Sequence, residues 1–103
     1  MSLSLEDFTY EKAREYIGDP FQISFDDGVT LDLKLEDVVR LRDKHVDPRF
    51  KRDPFAMMFR GPVDRYAHQG TLPIRHERLG KMMIFIVPVA AEPAGVLYEA
   101  IFN

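Results

Sequence analysis

The stretch FQISFDDGVTLDLKLE (residues 21–36) decides the fold class, because apolar residues occupy alternate positions on both sides of an Asp-Gly turn. Such alternation is typical of a β-strand with one buried and one solvated face. An Asp-Gly pair between two alternating segments is among the strongest local signals for a β-hairpin. The sequence therefore predicts a hairpin whose core-facing residues are Phe21, Ile23, Phe25, Val29, Leu31, Leu33 and Leu35.

A short helix is predicted before this hairpin. Thr9 is a candidate N-cap, and residues 10–17 place Tyr10, Ala13, Tyr16 and Ile17 on one side. Gly18 suits the position after a helix, and Pro20 prevents its continuation. Because so short a helix is not stable alone, we expect it to dock on the remaining structure.

The rest of the chain predicts further strands separated by turns, at residues 55–60, 71–75, 82–87 and 96–102. The segment 82–87 is apolar at every position, which favours a central strand covered on both faces. On that interpretation Phe85 lies in the core, and Phe85→Ala costs about 3–5 kcal/mol. Gly70 and Gly80 are expected to have positive φ, and Pro73 to lie towards a sheet edge.

These elements predict a mainly β fold. The 103 residues are expected to form a single domain, residues 1–103, with 46% hydrophobic residues supplying one core. The architecture is a small antiparallel barrel or sandwich of five to seven strands, with one short N-terminal helix at an open end (α+β by count). The last strand, 96–102, is expected to be structural.

Composition excludes several kinds of site. The chain has no cysteine, which removes disulfides, thiolate nucleophiles and sulfur-bound zinc. The N-terminus has no secretory signal pattern, and the longest apolar run, residues 82–91, is about half of a membrane span. We therefore expect a soluble, cytoplasmic protein that contacts no membrane. The net charge of −3 divides into −7 for residues 1–39, +6 for 40–81 and −2 for 82–103.

The strongest polar cluster comprises Tyr66, His68, Arg75 and His76. Two histidines near an acid and a tyrosine supply groups for acid–base chemistry near neutral pH, or for holding a small ligand in a pocket at a barrel end. A histidine beside a turn more commonly hydrogen-bonds a backbone carbonyl, and that interpretation is favoured. No serine has a nucleophile context, no glycine run forms a phosphate loop, and no metal spacing occurs. No catalytic, cofactor-binding or metal-binding residue is assigned, and no cofactor is expected.

A basic segment, residues 40–52, is the one feature typical of nucleic-acid binding. It contains Arg49, Lys51 and Arg52 near Phe50, but Asp43 and Asp47 interrupt it. No RNA- or DNA-binding motif accompanies it. A solvated, ion-paired loop is therefore favoured over a nucleic-acid site.

Three further stretches resemble a known family: QGTLPIRHERLG (69–80), FIVPV (85–89) and YEAIFN (98–103). The chain is similar, over roughly residues 21–103, to a small bacterial family of domains of unknown function. Leu72 departs from the aromatic residue expected after Gly-Thr. The resemblance implies genes that lie beside those for phage tail collar-like or tail-fibre-like proteins, and hence an accessory or assembly role. It implies no catalytic residues.

The sequence thus ranks three functional classes. A non-enzymatic interaction or accessory protein comes first, with a protein partner or self-association, since strand edges and the charged 40–53 segment offer contact surfaces. A small-ligand-binding protein or enzyme with a pocket near His68 and His76 comes second. Nucleic-acid binding through residues 40–52 comes third.

Overall fold

The computed structural model describes residues 8–41 and 54–102. It contains one helix, α1 (Tyr10–Arg14), and six strands: β1 (Pro20–Ser24), β2 (Thr30–Arg40), β3 (Phe55–Gly61), β4 (Gly70–His76), β5 (Gly80–Glu92) and β6 (Gly95–Phe102). All neighbouring strands are antiparallel and close into a barrel in the order β1-β2-β3-β6-β5-β4. The mainly β prediction is confirmed, and of the two predicted architectures the chain adopts the barrel.

The predicted hairpin forms β1 and β2. Phe21 pairs with Leu33 and Ile23 with Leu31, and all four side chains are buried. Gly28 has a φ of 85°, and the Asp27 carboxylate accepts a hydrogen bond from the backbone N–H of Val29 at 2.9 Å. Val29 is the exception to the predicted core, because it lies in the turn and is 41% exposed.

Helix α1 covers one end of the barrel. The Thr9 hydroxyl accepts a hydrogen bond from the Lys12 N–H, which confirms the predicted N-cap. Phe8, just before it, packs edge-on against Phe55 at the start of β3 and Phe102 at the end of β6. The helix ends at Arg14, earlier than predicted, and the chain continues in turns to Gly18. We call this end of the barrel the helix end.

The connection from β3 to β4 crosses the opposite end. In the strand order, β3 and β4 lie on opposite sides of the barrel, so residues 62–69 must span its mouth. Ala67 is buried there, and its backbone N–H donates to the buried Tyr98 hydroxyl at 2.8 Å. The core is therefore closed at both ends.

Strand β5 corrects one prediction. Met82, Ile84 and Ile86 are buried, but Met83 and Phe85 are 50% and 49% exposed. A closed barrel has a single layer of strands, so the outer face of β5 has no second layer to cover it. The prediction that residues 82–87 are covered on both faces, with Phe85 in the core, is wrong.

Two local predictions have different outcomes. Gly80 has a φ of 79°, as predicted, whereas Gly70 lies within β4 and does not have positive φ. The seam between β1 and β4 contains two residue pairs and ends at Ile23 and Ile74. Pro73, which has no N–H, follows at the end of that seam, where β4 is paired with β5 alone, in keeping with its predicted position towards an edge. No helix in the described part of the chain is long and apolar enough to span a membrane.

Candidate functional site

His76 lies at the helix end, buried at the last position of β4. Its Nε2 is 2.8 Å from Asp19 Oδ2. Its Nδ1 accepts hydrogen bonds from the backbone N–H groups of Arg78 at 3.0 Å and Leu79 at 3.2 Å. A nitrogen that accepts two N–H groups carries no proton, so this hydrogen-bond network assigns the hydrogen to Nε2, which donates to Asp19.

Aromatic rings and one cation surround this pair. The rings of Tyr16 and Phe21 lie 4.9 Å and 4.7 Å from the imidazole. Arg78 reaches Asp19 at 3.3 Å and lies over the Tyr16 ring at 5.1 Å. The hydrogen bond from His76, helped by Arg78, lowers the pKa of Asp19 against the opposing effect of its partial burial.

The chemistry of this cluster is structural. A catalytic histidine needs a ring nitrogen within reach of a substrate, and both nitrogens of His76 are already bonded within the chain. The imidazole instead fixes the tight turn between β4 and β5 and ties it to the segment entering β1. Within residues 8–41 and 54–102, no cluster of three or more histidine and acidic side chains offers a metal site.

Tyr66 and His68 lie at the other end of the barrel, in the crossing segment 62–69. Their rings are 5.1 Å apart and both side chains are exposed. Strand β4 runs from this end to His76, and its six residue steps span about 20 Å. Arg75 is exposed on the outer face of β4. The structure therefore brings Tyr66 and His68 together but separates them from Arg75 and His76, so the four share no cavity.

A shallow apolar cleft lies beside Tyr66. Its volume is about 360 Å³, and it is lined by Val63, Tyr66, Pro88, Val89, Ala90, Ala91 and Val96. His68 does not line it. The cleft presents apolar carbon and one phenol hydroxyl, which suits an apolar group and gives no acid–base pair.

A larger apolar surface lies on the outside of the barrel. We define the outer apolar face as Val39 on β2, Met58 on β3, Ile101 on β6, and Met83, Phe85 and Val87 on β5. Ile101 is 52% exposed, comparable to Met83 and Phe85, and Met58 and Val87 are half-buried. Clustered exposure of large apolar side chains is uncommon on a soluble domain and marks contact surfaces.

The strand register shows that this face is continuous. Val39 pairs with Ala56, which pairs with Ile101. Met58 pairs with Glu99, which pairs with Val87. Phe85 lies two residues before Val87, and Ile101 lies two residues after Glu99, so each shares the side of its strand with that neighbour. The apolar side chains therefore form adjacent rows across β2, β3, β6 and β5.

Sequence reasoning missed this face, since a strand that is apolar at every position looks the same whether its second side is covered by protein or left open. The charged segment containing Arg49, Lys51 and Arg52 lies outside the described residues. Nucleic-acid binding there stays a prediction. Salt-dependent retention on heparin or DNA tests it, because phosphate contacts release counterions.

Comparison with known proteins identifies the family. The family described as Domain of unknown function (DUF6916) matches residues 8–102, so the chain belongs to this family. Neither the curated proteins nor the solved structures contain a match to the chain. The predicted resemblance to a family of unknown function is confirmed.

Proposed function

We propose that this domain is a non-enzymatic interaction module of the cytoplasm that binds a protein partner through its outer apolar face. The observation that carries the proposal is the exposure of Met83, Phe85 and Ile101, each about half accessible, on neighbouring strands. Protein interfaces have apolar centres rich in aromatic residues and methionine, and this face has both.

The barrel directs such a partner to a face rather than to an edge. Addition of a strand requires a run of unpaired backbone groups, and in the described barrel every strand has a neighbour on each side, which leaves no strand with a free edge along its whole length. The core also needs no partner for completion, because α1 and residues 62–69 cover its ends. The apolar side chains that stay outside are therefore free to serve binding.

The kind of partner follows from the genes expected beside those of the family. Neighbouring genes for phage tail collar-like or tail-fibre-like proteins would imply that the family takes part in building a larger assembly. An accessory domain in such a setting recognises another protein chain, of its own or a different kind, through a preformed surface, which a rigid barrel face provides at little entropic cost.

Photo-crosslinking tests the proposal. The photoreactive residue p-benzoylphenylalanine replaces Phe85 in one variant and Val29 in a control, and both are expressed in the native host. Val29 is a matched control because it is also exposed and apolar but lies at the β1–β2 turn. We expect a discrete adduct from position 85 and none from position 29. Absence of an adduct at position 85, or equal adducts at both positions, would contradict the proposal.

A second candidate function is the binding of a small apolar ligand in the cleft beside Tyr66. The cleft volume of about 360 Å³ and its apolar lining favour this function. NMR titration with aliphatic and aromatic fragments tests it. Shift changes confined to the cleft, and lost in Val89→Glu, support ligand binding; changes absent at every fragment concentration exclude it.

A further inference from the structure

Charged residues of opposite sign border the outer apolar face at its two ends. Arg75 and Lys81 are paired across β4 and β5, are both exposed, and lie on the side of Met83 nearer the helix end. Glu99 lies between Val87 and Met58, at the other end of the face. Along the strand direction, Lys81 and Glu99 are six residue steps apart, or about 20 Å.

Among residues 8–41 and 54–102, these charges have no ion-pair partner. In the described ranges, neither Lys81 nor Glu99 takes part in an ion pair, whereas Arg60 nearby is bonded to both Glu36 and Glu92. Lys81 and Glu99 therefore remain available to a molecule that covers the face. Such a molecule needs an acidic group at the Lys81 end, a basic group at the Glu99 end, and apolar side chains between them.

From this arrangement we infer that a second copy of this chain occupies the face, related to the first by a two-fold axis that lies in the plane between the two faces and runs across the strands. The inference rests on the proposed function, because it assigns the partner of the same surface. A half-turn about this axis, placed at the level of Ile84 midway between Lys81 and Glu99, reverses the strand direction. It brings Lys81 of each copy opposite Val87 of the second copy, one strand away from Glu99 and within reach of its carboxylate.

The same rotation stacks apolar side chains at the centre. Met83 and Phe85 lie on opposite sides of the axis, so Met83 of one copy packs on Phe85 of the other, with Ile101 on the neighbouring strand beside them. An isologous contact of this kind uses one surface twice, so each favourable pair occurs twice. The result is an apolar centre with a charged rim, which is the usual anatomy of a protein interface.

Charge reversal tests the inference. Sedimentation equilibrium is measured over a micromolar to millimolar range for the wild type, Lys81→Glu, Glu99→Lys and the double variant. We expect the wild type to dimerise and each single reversal to weaken dimerisation by about tenfold, because two rim pairs become repulsive. The double variant recovers the wild-type constant, since its opposite charges face each other again. Lys12→Glu on α1 is the control, and it should not change the constant.

Two outcomes overturn the inference: a wild type that stays monomeric over the whole range, or a double variant that dimerises no better than the single reversals. Circular dichroism confirms that each variant is folded. The crosslinking experiment separates this failure from that of the proposed function. A position-85 adduct with a different protein, formed by a chain that is monomeric, upholds the module and refutes the second copy.

Discussion

Replacing Tyr98 with Phe tests how the crossing segment closes the barrel. The Tyr98 hydroxyl accepts the N–H of Ala67 at 2.8 Å, and both residues are buried. Tyr98→Phe retains the ring and its packing but leaves that N–H without an acceptor. A buried donor that loses its partner costs about 1–3 kcal/mol.

The matched control is Tyr66→Phe, since Tyr66 is exposed in the same segment and its hydroxyl forms no hydrogen bond within the described structure. For a domain of this size, each kcal/mol shifts Tm by about 4–8 °C. We therefore expect Tyr98→Phe to lower Tm by about 5–20 °C and Tyr66→Phe to leave it nearly unchanged. Thermal unfolding followed by circular dichroism measures both.

Hydrogen exchange gives the local measurement. The amide of Ala67 should exchange faster in Tyr98→Phe than in the wild type, because the hydrogen bond that protects it is gone. If Tyr98→Phe melts with the wild type and Ala67 retains its protection, contacts other than the Tyr98 hydroxyl hold residues 62–69 in place. That result would refute the role of this hydrogen bond in closing the barrel.

Stability measurements at alkaline pH test the same Tyr98 hydroxyl. Burial raises the pKa of Tyr98 above its ordinary value of 10.0, because the phenolate is poorly solvated in the core. Because its pKa is raised in the folded state, the protonated Tyr98 hydroxyl contributes fully to the free energy of unfolding below pH 10.0. That contribution is lost as the pH rises through the folded-state pKa of Tyr98. In denaturant unfolding above about pH 10, the free energy of unfolding should fall more steeply with pH for the wild type than for Tyr98→Phe.

Three further predictions concern separate positions. Gly95→Ala should prevent stable folding or lower Tm by more than about 10 °C (about 2 kcal/mol or more), since Gly95 has a φ of 128° and an added Cβ overlaps the Gly61 carbonyl oxygen. Gly70→Ala meets no atom within 4 Å and should be nearly neutral in the same melts. Stability should fall as the pH drops through the lowered pKa of Asp19, and acid titration of Asp19→Asn should lack that part of the loss. Phe85→Ala should cost less than about 1.5 kcal/mol in urea unfolding, against about 3–5 kcal/mol for the buried Phe59→Ala, and equal costs would contradict the assigned faces.

Local patterns predicted the elements of this fold well. The Asp26–Gly28 turn, the Thr9 N-cap and the return strand at residues 96–102 each depend on neighbours within a few positions, so the sequence states them directly. Closure of the barrel depends on β1 reaching β4 and β3 reaching β6, which are contacts between distant segments. No residue pattern within either strand specifies its partner, and barrel and sandwich therefore stayed alternatives.

The candidate site was less predictable for a related reason. His68 and His76 are eight positions apart in the sequence. Because the strand between them, β4, is extended, the two histidines lie at opposite ends of the barrel. His76 bonds to the backbone of its own turn, but its Nδ1 accepts from two N–H groups where a bond to a backbone carbonyl was expected. Its pairing with Asp19, by contrast, needed the three-dimensional structure.

The position of β6 between β3 and β5 has a consequence for how the molecule is made. The other five strands precede β6 in chain order. Without β6 they form two groups of paired strands, β1-β2-β3 and β4-β5. In the described barrel, the two-pair seam between β1 and β4 is the pairing that joins these groups. Strand β6 pairs along seven residues of β3 and closes the ring. A nascent chain therefore cannot close the barrel over its apolar interior until β6 has emerged. Such long-range pairing slows folding and prolongs the interval in which exposed apolar side chains can aggregate.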